Sequence, residues 1–278
     1  MHGYQIAFLQ ASPSINTIRR VPMDRNCYHK VQQEFISCVE RTLRRLQQEA
    51  TVMPFHSALL SKEAVFWSRF ERSFSTSFGQ SVIERISAYI AESSGAADVQ
   101  TQKVTFVHLD HNQLMKIEHH ISQLRLRGSG AIPNWNEDYN NLLQTALSGN
   151  TDEVRVISDL YYFRNGRYNY FSIKTVKPNI DQTAEAKRDL LKLKINDPNC
   201  NAYFGLYYNP FGEERELYNW TPPMRLFNFH TDPCILIGRD YWDTIGGEGT
   251  YETVLEIASS VSADLQEQIR QYGIDNFI

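Results

Sequence analysis

Polar and strand-forming residues follow one another through residues 158–178 in a pattern that predicts a two-stranded β-hairpin. Tyr, Phe, Ile and Thr, which favour strands, lie on both sides of the dipeptide Asn165-Gly166. This dipeptide is typical of a two-residue type I′ turn, because both central residues of that turn have a positive φ angle. A turn of two residues also sets the register, so that Tyr162 is expected to face Asn169.

The same register brings polar side chains together on one face of the hairpin. Asp159 is expected opposite Ser172, with Lys174 on the adjacent diagonal, at Cβ separations of roughly 5 to 8 Å. Phe171 and Ile173 alternate with them and are expected to point toward a core. A carboxylate and a lysine that converge on an otherwise apolar hairpin indicate chemistry rather than packing.

Helical periodicity dominates the chain before the hairpin. Apolar residues at helical spacing predict a helix capped by Asp24 that runs to about Gln48. Residues 57–94 are also predicted to be helical, with a break near residues 73–79, and a short strand is predicted at residues 104–109.

Strands and helices alternate after the hairpin. A helix capped by Asp181 or Thr183 is predicted, followed by strands at residues 201–211 and 234–238 and a C-terminal helix from Tyr251. A strand, a helix and a second strand in this order imply a crossover within one sheet. The sequence therefore predicts an α/β fold with a small mixed sheet, helices on its faces and a helical N-terminal region.

Composition is that of an ordinary soluble globular protein. The 278 residues are 42% hydrophobic and 22% charged, and no apolar run approaches the roughly 18 residues of a membrane span. The N-terminus has no secretory pattern, so a cytoplasmic protein without a membrane partner is expected. The net charge of −4 does not favour nucleic-acid binding. Basic residues nevertheless outnumber acids in residues 174–194, and the location of charge matters more than its sum.

The spacing Asp159-x12-Ser172-x-Lys174 resembles the hairpin motif of PD-(D/E)XK nucleases, with a serine where the second acid is expected. A carboxylate on the hairpin can hold Mg²⁺, and the main-chain carbonyl of Ile173 can serve as a further ligand. A lysine beside the metal can face the attacking water and the scissile phosphate. Such triplets arise by chance in many proteins, so the motif alone is a weak signal.

Longer segments resemble the TdeIII family of type II restriction endonucleases. They cover about three quarters of the chain in the same order and include FERSFSTSFGQ, FSIKTVKPNIDQTAEAKRDLL and LIGRDYWDTIGGEGTYETVLEI. The resemblance implies a PD-(D/E)XK fold and a Mg²⁺-dependent endonuclease that cuts double-stranded DNA at a GGNCC-type palindrome. By position it implies Asp159 and Lys174 as the core catalytic pair.

The serine in the motif leaves a second acid to be found. Glu185 follows Lys174 on the next predicted helix, at an offset slightly shorter than is usual in S-x-K restriction enzymes. Glu84 lies early in an N-terminal helix, off its apolar stripe, and many nucleases of this fold add a glutamate from such a helix. Both glutamates are expected to belong to the site, with Glu84 favoured, and Ser172 acting through a water is the remaining possibility. If none supplies the ligand, the alternative is a catalytically inactive DNA-binding protein that retains the fold.

Three polar residues follow the lysine strand and are candidates for DNA contact. Lys177 suits a phosphate, and the amides of Asn179 and Gln182 suit base edges. A palindromic target presents the same sequence twice and needs two copies of the DNA-recognition surface, so a homodimer is expected. The resemblance also implies a cognate DNA methyltransferase, as in a restriction-modification pair. The chain is expected to be a single nuclease domain over residues 1–278, mostly helical over 1–150, with the catalytic core and C-terminal helix in 151–278.

Overall fold

The computed structural model describes residues 23–48, 52–126, 128 and 130–277. It is an α/β fold built on one mixed sheet, as predicted. The described residues form five strands: β1 (Ala97–Asp110), β2 (Thr151–Arg164), β3 (Arg167–Lys174), β4 (Asn201–Leu206) and β5 (Ile235–Ile237).

Strand order follows chain order across the sheet. β1, β2 and β3 are joined by antiparallel pairing, whereas β3–β4 and β4–β5 are parallel. The helix between β3 and β4 makes the predicted crossover. β1 lies within the N-terminal half of the chain but pairs with β2 along most of its length, so residues before 150 contribute an edge strand as well as helices.

Helices cover both faces of the sheet. The first six in the described residues are α1 (Arg25–Gln48), α2 (Pro54–Leu59), α3 (Lys62–Ser77), α4 (Ile83–Ser93), α5 (His111–Arg125) and α6 (Trp135–Leu143). The remaining five are α7 (Ile180–Asn196), α8 (Thr221–Met224), α9 (Arg239–Gly246), α10 (Thr250–Ser260) and α11 (Ser262–Phe277). None of these is both long and apolar enough to span a bilayer, a finding limited to the residues that the structure describes.

Two buried clusters divide the core, because alternate residues of each strand point to opposite faces. On one face, Tyr161 and Tyr170 pack with α5, α6 and α7. On the other, Leu160 and Phe171 pack with α1, α4, α9 and α10. Ile173 also lies in the second cluster, so the predicted inward direction of the apolar hairpin residues is confirmed.

The strand predicted at residues 201–211 ends at Leu206 as β4. Three other local predictions were wrong. The expected break near residues 73–79 is absent, since α3 continues through a π-helical turn at Phe78–Val82 into α4. The helix after the hairpin is capped by Asn179, not by Asp181 or Thr183. The C-terminal helix is divided near Val261 into α10 and α11. Asp24 caps α1 as predicted, because its carboxylate accepts a hydrogen bond from the Cys27 amide.

Candidate active site

The hairpin has the predicted turn and register. Asn165 and Gly166 have φ angles of 53° and 75°, as a type I′ turn requires. Tyr162 pairs with Asn169, and the ladder between β2 and β3 continues to Leu160. It stops one residue before Asp159, so this residue lies where the two strands stop pairing.

Asp159 uses its carboxylate, rather than its backbone, to join the two strands. Oδ2 accepts a hydrogen bond from the Ile173 amide at 2.6 Å and lies 3.3 Å from Nζ of Lys174. Asp159 and Lys174 keep 17% and 22% of their side-chain surface exposed, so a ligand in solvent can reach both. The predicted proximity of these two residues is confirmed, whereas their catalytic roles stay predictions.

Glu84 joins this pair through a residue of β1. Nε2 of Gln102 donates to Oε2 of Glu84 at 2.9 Å and to Oδ1 of Asp159 at 3.2 Å. The two carboxylates therefore face a common amide group. Glu84 lies in the first turn of α4, on the helix that was expected to supply an acid.

The environment of Glu84 disfavours its charged form. Burial raises the pKa of Glu84 to about 7, and the negative charge of Asp159 adds to this rise. The hydrogen bond from Gln102 and the positive charge of Lys174 act in the opposite direction. A divalent cation between the two carboxylates would remove most of this cost.

Packing holds α4 against the sheet and fixes the direction of Glu84. A hydrogen bond of 2.7 Å joins Ser87 to the fully buried Tyr241 of α9. Gly205 of β4 permits this approach, because a Cβ there would lie 2.6 Å from the Tyr241 ring. The neighbouring Arg85 turns away and pairs with Glu34 of α1 at 2.9 Å. The π-helical turn that precedes α4 is a type of irregularity found often at functional sites.

The other two candidates for the second ligand lie differently. Ser172 is buried on β3 and immediately precedes Ile173 and Lys174, the two residues of that strand that contact Asp159. Glu185 lies on the exposed side of α7, where its charge acts on Asp189. Among the described residues, no hydrogen bond or ion pair joins Glu185 to Asp159 or Lys174. The structure thus brings Glu84 to the hairpin and leaves Glu185 outside the contacts described there.

The three residues proposed for DNA contact lie in an ordered connection between β3 and α7. Asn179 and Gln182 form a reciprocal capping box, in which the side-chain oxygen of each residue accepts a hydrogen bond from the backbone N–H of the other. Nζ of Lys177 lies 5.3 Å and 5.7 Å from the ring centroids of Phe211 and Trp220. All three candidate side chains are exposed, while each also has a structural role.

Gln102 is the site residue that the sequence did not indicate. The predicted strand began at residue 104, which left Gln102 in a polar segment with no assigned structure. Its importance depends on the alignment of β1 with β2, and this long-range pairing has no local signature. Alternation of apolar residues could have extended the strand but could not have placed Gln102 opposite Asp159.

The donor set at this site suits a hard divalent cation. The two carboxylates offer oxygen donors, the type that Mg²⁺ and Ca²⁺ prefer, and the Ser172 hydroxyl and the main-chain carbonyl of Ile173 are predicted to add others. Within the described ranges, no group of three or more His, Cys, Asp and Glu side chains is placed to hold a metal. A cation here would therefore keep free positions for water and for a substrate oxygen, which is the arrangement that metal-assisted hydrolysis needs.

Comparison with known proteins defines the class of enzyme. The model of the HinfI family, described as a type II restriction endonuclease, matches residues 23–262. The match spans α1 to α10 and includes every site residue described above. The chain belongs to the HinfI family of type II restriction endonucleases and is thus a site-specific deoxyribonuclease.

Individual relatives agree with this family. The type II restriction enzyme HgiCII of Herpetosiphon aurantiacus is 28% identical over 236 residues, covering 83% of this chain and 85% of the relative. HgiEI of the same organism is 28% identical over 273 residues, covering 93% and 98%. HgiBI is 27% identical with the same coverage. The narrower resemblance to the TdeIII family stays a prediction.

Proposed function

We propose that this restriction endonuclease hydrolyses double-stranded DNA with Mg²⁺ at a GGNCC-type palindrome, as its resemblance to the TdeIII family implies. The observation that carries the catalytic part is the convergence of Asp159, Lys174 and Glu84. One carboxylate oxygen of Asp159 lies 3.3 Å from the lysine ammonium, and the other shares a hydrogen-bond donor with Glu84.

The residues that would hold Mg²⁺ are Asp159, Glu84 and the main-chain carbonyl of Ile173. This set supplies the one or two carboxylates that Mg²⁺ usually takes from a protein. When bound, the metal would lower the pKa of a coordinated water and stabilise negative charge on the phosphate oxygens. Ser172 is close enough along β3 to act through a water, and it complements the two acids rather than replacing them.

Lys174 has two tasks in this proposal. In the free protein its ammonium balances the charge of Asp159, and with DNA it faces the attacking water and the scissile phosphate. A fixed positive charge at that point stabilises the charge that develops on the phosphoryl oxygens. The hydrogen bond from the Ile173 amide to Asp159 keeps the carboxylate in place as the ammonium exchanges partners.

The loop that follows Lys174 is proposed as a DNA contact. Tyr218 donates a hydrogen bond to the Val176 carbonyl at 3.0 Å, and Trp220 donates one to the Pro178 carbonyl at 2.9 Å. These bonds stiffen the backbone around Lys177, which reduces the ordering cost of a phosphate contact. The exposed amides of Asn179 and Gln182 can reach base edges with the groups that the capping box leaves unused.

Two further parts of the proposal follow from a palindromic target. A twofold target is matched by a twofold homodimer in which each subunit cuts one strand. A cognate DNA methyltransferase would protect the host genome at the same sequence. Both statements depend on the proposed target.

Digestion of a plasmid and sequencing of its ends test the proposal directly. The purified protein should cut in Mg²⁺ and not in EDTA, and every end should map to one GGNCC-type palindrome. Cleavage at a single sequence of another type would reject the proposed specificity and keep the nuclease assignment. Equal cutting in Mg²⁺ and in EDTA would reject the metal-dependent mechanism.

The identity of the second acid is tested by a matched pair of variants. Glu84→Gln should raise the Mg²⁺ concentration needed for half-maximal cleavage, or abolish cleavage, because it removes a metal-holding charge. Glu185→Gln makes the same chemical change on the exposed side of α7 and should leave the Mg²⁺ titration unchanged. The opposite result would assign the second acid to Glu185.

A further inference from the structure

Gln102 occupies the space between the two carboxylates of the site. A single nitrogen, Nε2, donates to Glu84 at 2.9 Å and to Asp159 at 3.2 Å. Two carboxylates that share a site repel each other, and one amide NH₂ group that donates to both offsets that repulsion without adding charge. The glutamine thus stands where an ion bridging the two acids would be held.

The backbone at Gln102 is unusual for this residue type. Its φ angle is 52°, in the left-handed region that glycine and asparagine enter most readily. The ladder between β1 and β2 is paired on both sides of Gln102 and Asp159 but not at these two residues. An outlier of this kind persists where surrounding structure or function requires it. A glycine would satisfy the backbone alone, so the side chain needs a separate explanation.

We propose that Gln102 is a further residue of the cation site, which positions the two carboxylates and supplies an amide oxygen to the ion. This inference rests on the proposed metal-dependent function and adds a residue to it. In the metal-free enzyme its NH₂ group holds Glu84 and Asp159 toward one another. When a cation binds, the carboxamide turns about its last bond and directs its oxygen, Oε1, toward the ion. Donor and acceptor lie on the same carbon, so a rotation exchanges one for the other, and amide oxygens are accepted ligands of hard divalent cations.

The left-handed backbone gives this inference a distinctive test. Gln102→Gly relieves the backbone strain but also removes the donor shared by the two carboxylates, so these opposing effects should leave its melting temperature close to that of the wild type. Its affinity for Ca²⁺, measured by calorimetry on the DNA-free protein, should fall about 10-fold to 100-fold, the usual effect of losing a group that orients metal ligands. If Gln102 had only a structural role in β1, the variant would keep its melting temperature and also its Ca²⁺ affinity.

A second variant separates the two proposed roles of Gln102, which are to supply an oxygen to the cation and to donate hydrogen bonds to both carboxylates. Gln102→Glu keeps an oxygen for the cation but replaces the shared donor with a third carboxylate. It should bind Ca²⁺ at least as tightly as the wild type, while the metal-free protein melts at a lower temperature. Gln100→Ala is the matched control, because Gln100 lies on the same strand and donates to Asp98 at 2.5 Å, outside the site. Its Ca²⁺ affinity should match the wild type.

The outcomes are distinct from those that test cleavage. Wild-type Ca²⁺ affinity in Gln102→Gly would overturn the inference, and so would the absence of measurable Ca²⁺ binding to the wild-type protein without DNA. Failure of the wild type to cut a GGNCC-type plasmid would instead reject the proposed specificity, since calcium binding does not depend on a DNA sequence. Loss of Ca²⁺ affinity in Gln102→Gly with a melting temperature close to that of the wild type supports the positioning role.

Discussion

At the scale of single residues, the site consists of charged side chains, a type that is rarely buried in a protein core. Asp159 and Lys174 are mostly buried charges, and Glu84 has a raised pKa caused chiefly by burial. Buried ion pairs add little net stability, because desolvation of the charges offsets their attraction. Their convergence with a strained Gln102 is better explained by function than by folding.

Replacing Lys174 with alanine should separate binding from cleavage. Lys174→Ala should reduce the cleavage rate by at least about 100-fold, because it removes a positive charge from the developing transition state. DNA affinity should change little, with the salt slope of binding falling by about one unit if the ammonium contacts a phosphate. Single-turnover cleavage and filter binding over a range of salt concentrations measure the two effects.

A lysine outside the site provides the control for that experiment. Lys192 pairs with Asp189 on α7 at 3.2 Å, so Lys192→Ala removes one positive charge without altering the hairpin. It should cleave at the wild-type rate. If Lys174→Ala cleaves as fast as Lys192→Ala, then Lys174 has no catalytic role.

The raised pKa of Glu84 predicts a pH-dependent stability in the metal-free protein. Between its ordinary value of 4.5 and about 7, the folded state binds more protons than the unfolded state, so the free energy of unfolding falls as pH rises through this window. Glu84→Gln removes the titration. Discounted for partial exposure, the variant should be more stable than the wild type at pH 8 by about 1 to 2 kcal/mol.

Urea denaturation in EDTA at pH 5 and pH 8 measures this difference. At pH 5 the carboxyl is mostly protonated in the folded protein, so the gap between the variant and the wild type should fall to about a quarter of its size at pH 8. A gap of the same size at both pH values would mean that the charge of Glu84 is not destabilising. Mg²⁺ should reverse the order at pH 8 if it binds the ionised carboxylate of the wild type.

At the scale of secondary structure, the elements set by local chemistry were predictable. The Asn165-Gly166 turn determines the hairpin and its register, and Asp24 determines the start of α1. The cap of α7 also had a local signature that was overlooked, because Asn179 and Gln182 have the spacing of a capping box. Such features depend on a few neighbouring residues, so a sequence contains most of the information about them.

The errors fall where distant packing decides the structure. Ser and Gly near residues 73–79 favour a loop, yet Phe74 stacks on Phe78 with ring centroids 5.2 Å apart, and Phe78 packs against Tyr207. These contacts stabilise helical structure throughout the segment. The π-helical turn at Phe78–Val82 joins α3 to α4 without a loop. Gln102 has the same kind of dependence, since its position opposite Asp159 is set by the pairing of β1 with β2.

A buried charge cluster joins three helices on the side of the sheet that faces α7. Lys187 is fully buried, where it pairs with Asp138 of α6 and donates to the Leu226 carbonyl. His120 of α5 lies 2.9 Å from the same carboxylate. Removing one partner from such a cluster leaves a buried charge without compensation.

Asp138→Asn should therefore destabilise the fold by about 3 to 5 kcal/mol, measured by urea denaturation at neutral pH. Breaking the neighbouring, partly exposed pair of Arg188 and Glu118, 2.6 Å apart, with Arg188→Ala should cost less than about 1 kcal/mol. The paired replacement Asp138→Leu with Lys187→Met should recover much of the loss. Similar costs for Asp138→Asn and Arg188→Ala would show that the cluster does not stabilise the junction of these helices.

At the scale of the whole molecule, DNA binding must rely on local rather than overall charge. The net charge is −4, so the chain as a whole repels a phosphate backbone. Lys174 and Lys177 lie within four residues of each other beside the hairpin, and both are at least partly exposed. We expect this local positive charge to direct the hairpin toward the duplex, because cations attract phosphates most strongly at short range.

The hairpin supplies one Asp159–Lys174 pair per chain, and in the proposed mechanism one such pair cuts one strand. Cleavage of both strands of a palindrome by equivalent sites therefore predicts a twofold homodimer. Sedimentation velocity should give a dimer, either for the free protein or with a palindromic duplex in Ca²⁺. Dimers reassembled from wild-type and Lys174→Ala subunits should nick a plasmid at its site, because only one of the two strands faces a complete active site. A monomer under both conditions, or mixed dimers that release only linear plasmid, would contradict a mechanism with one strand cut by each subunit.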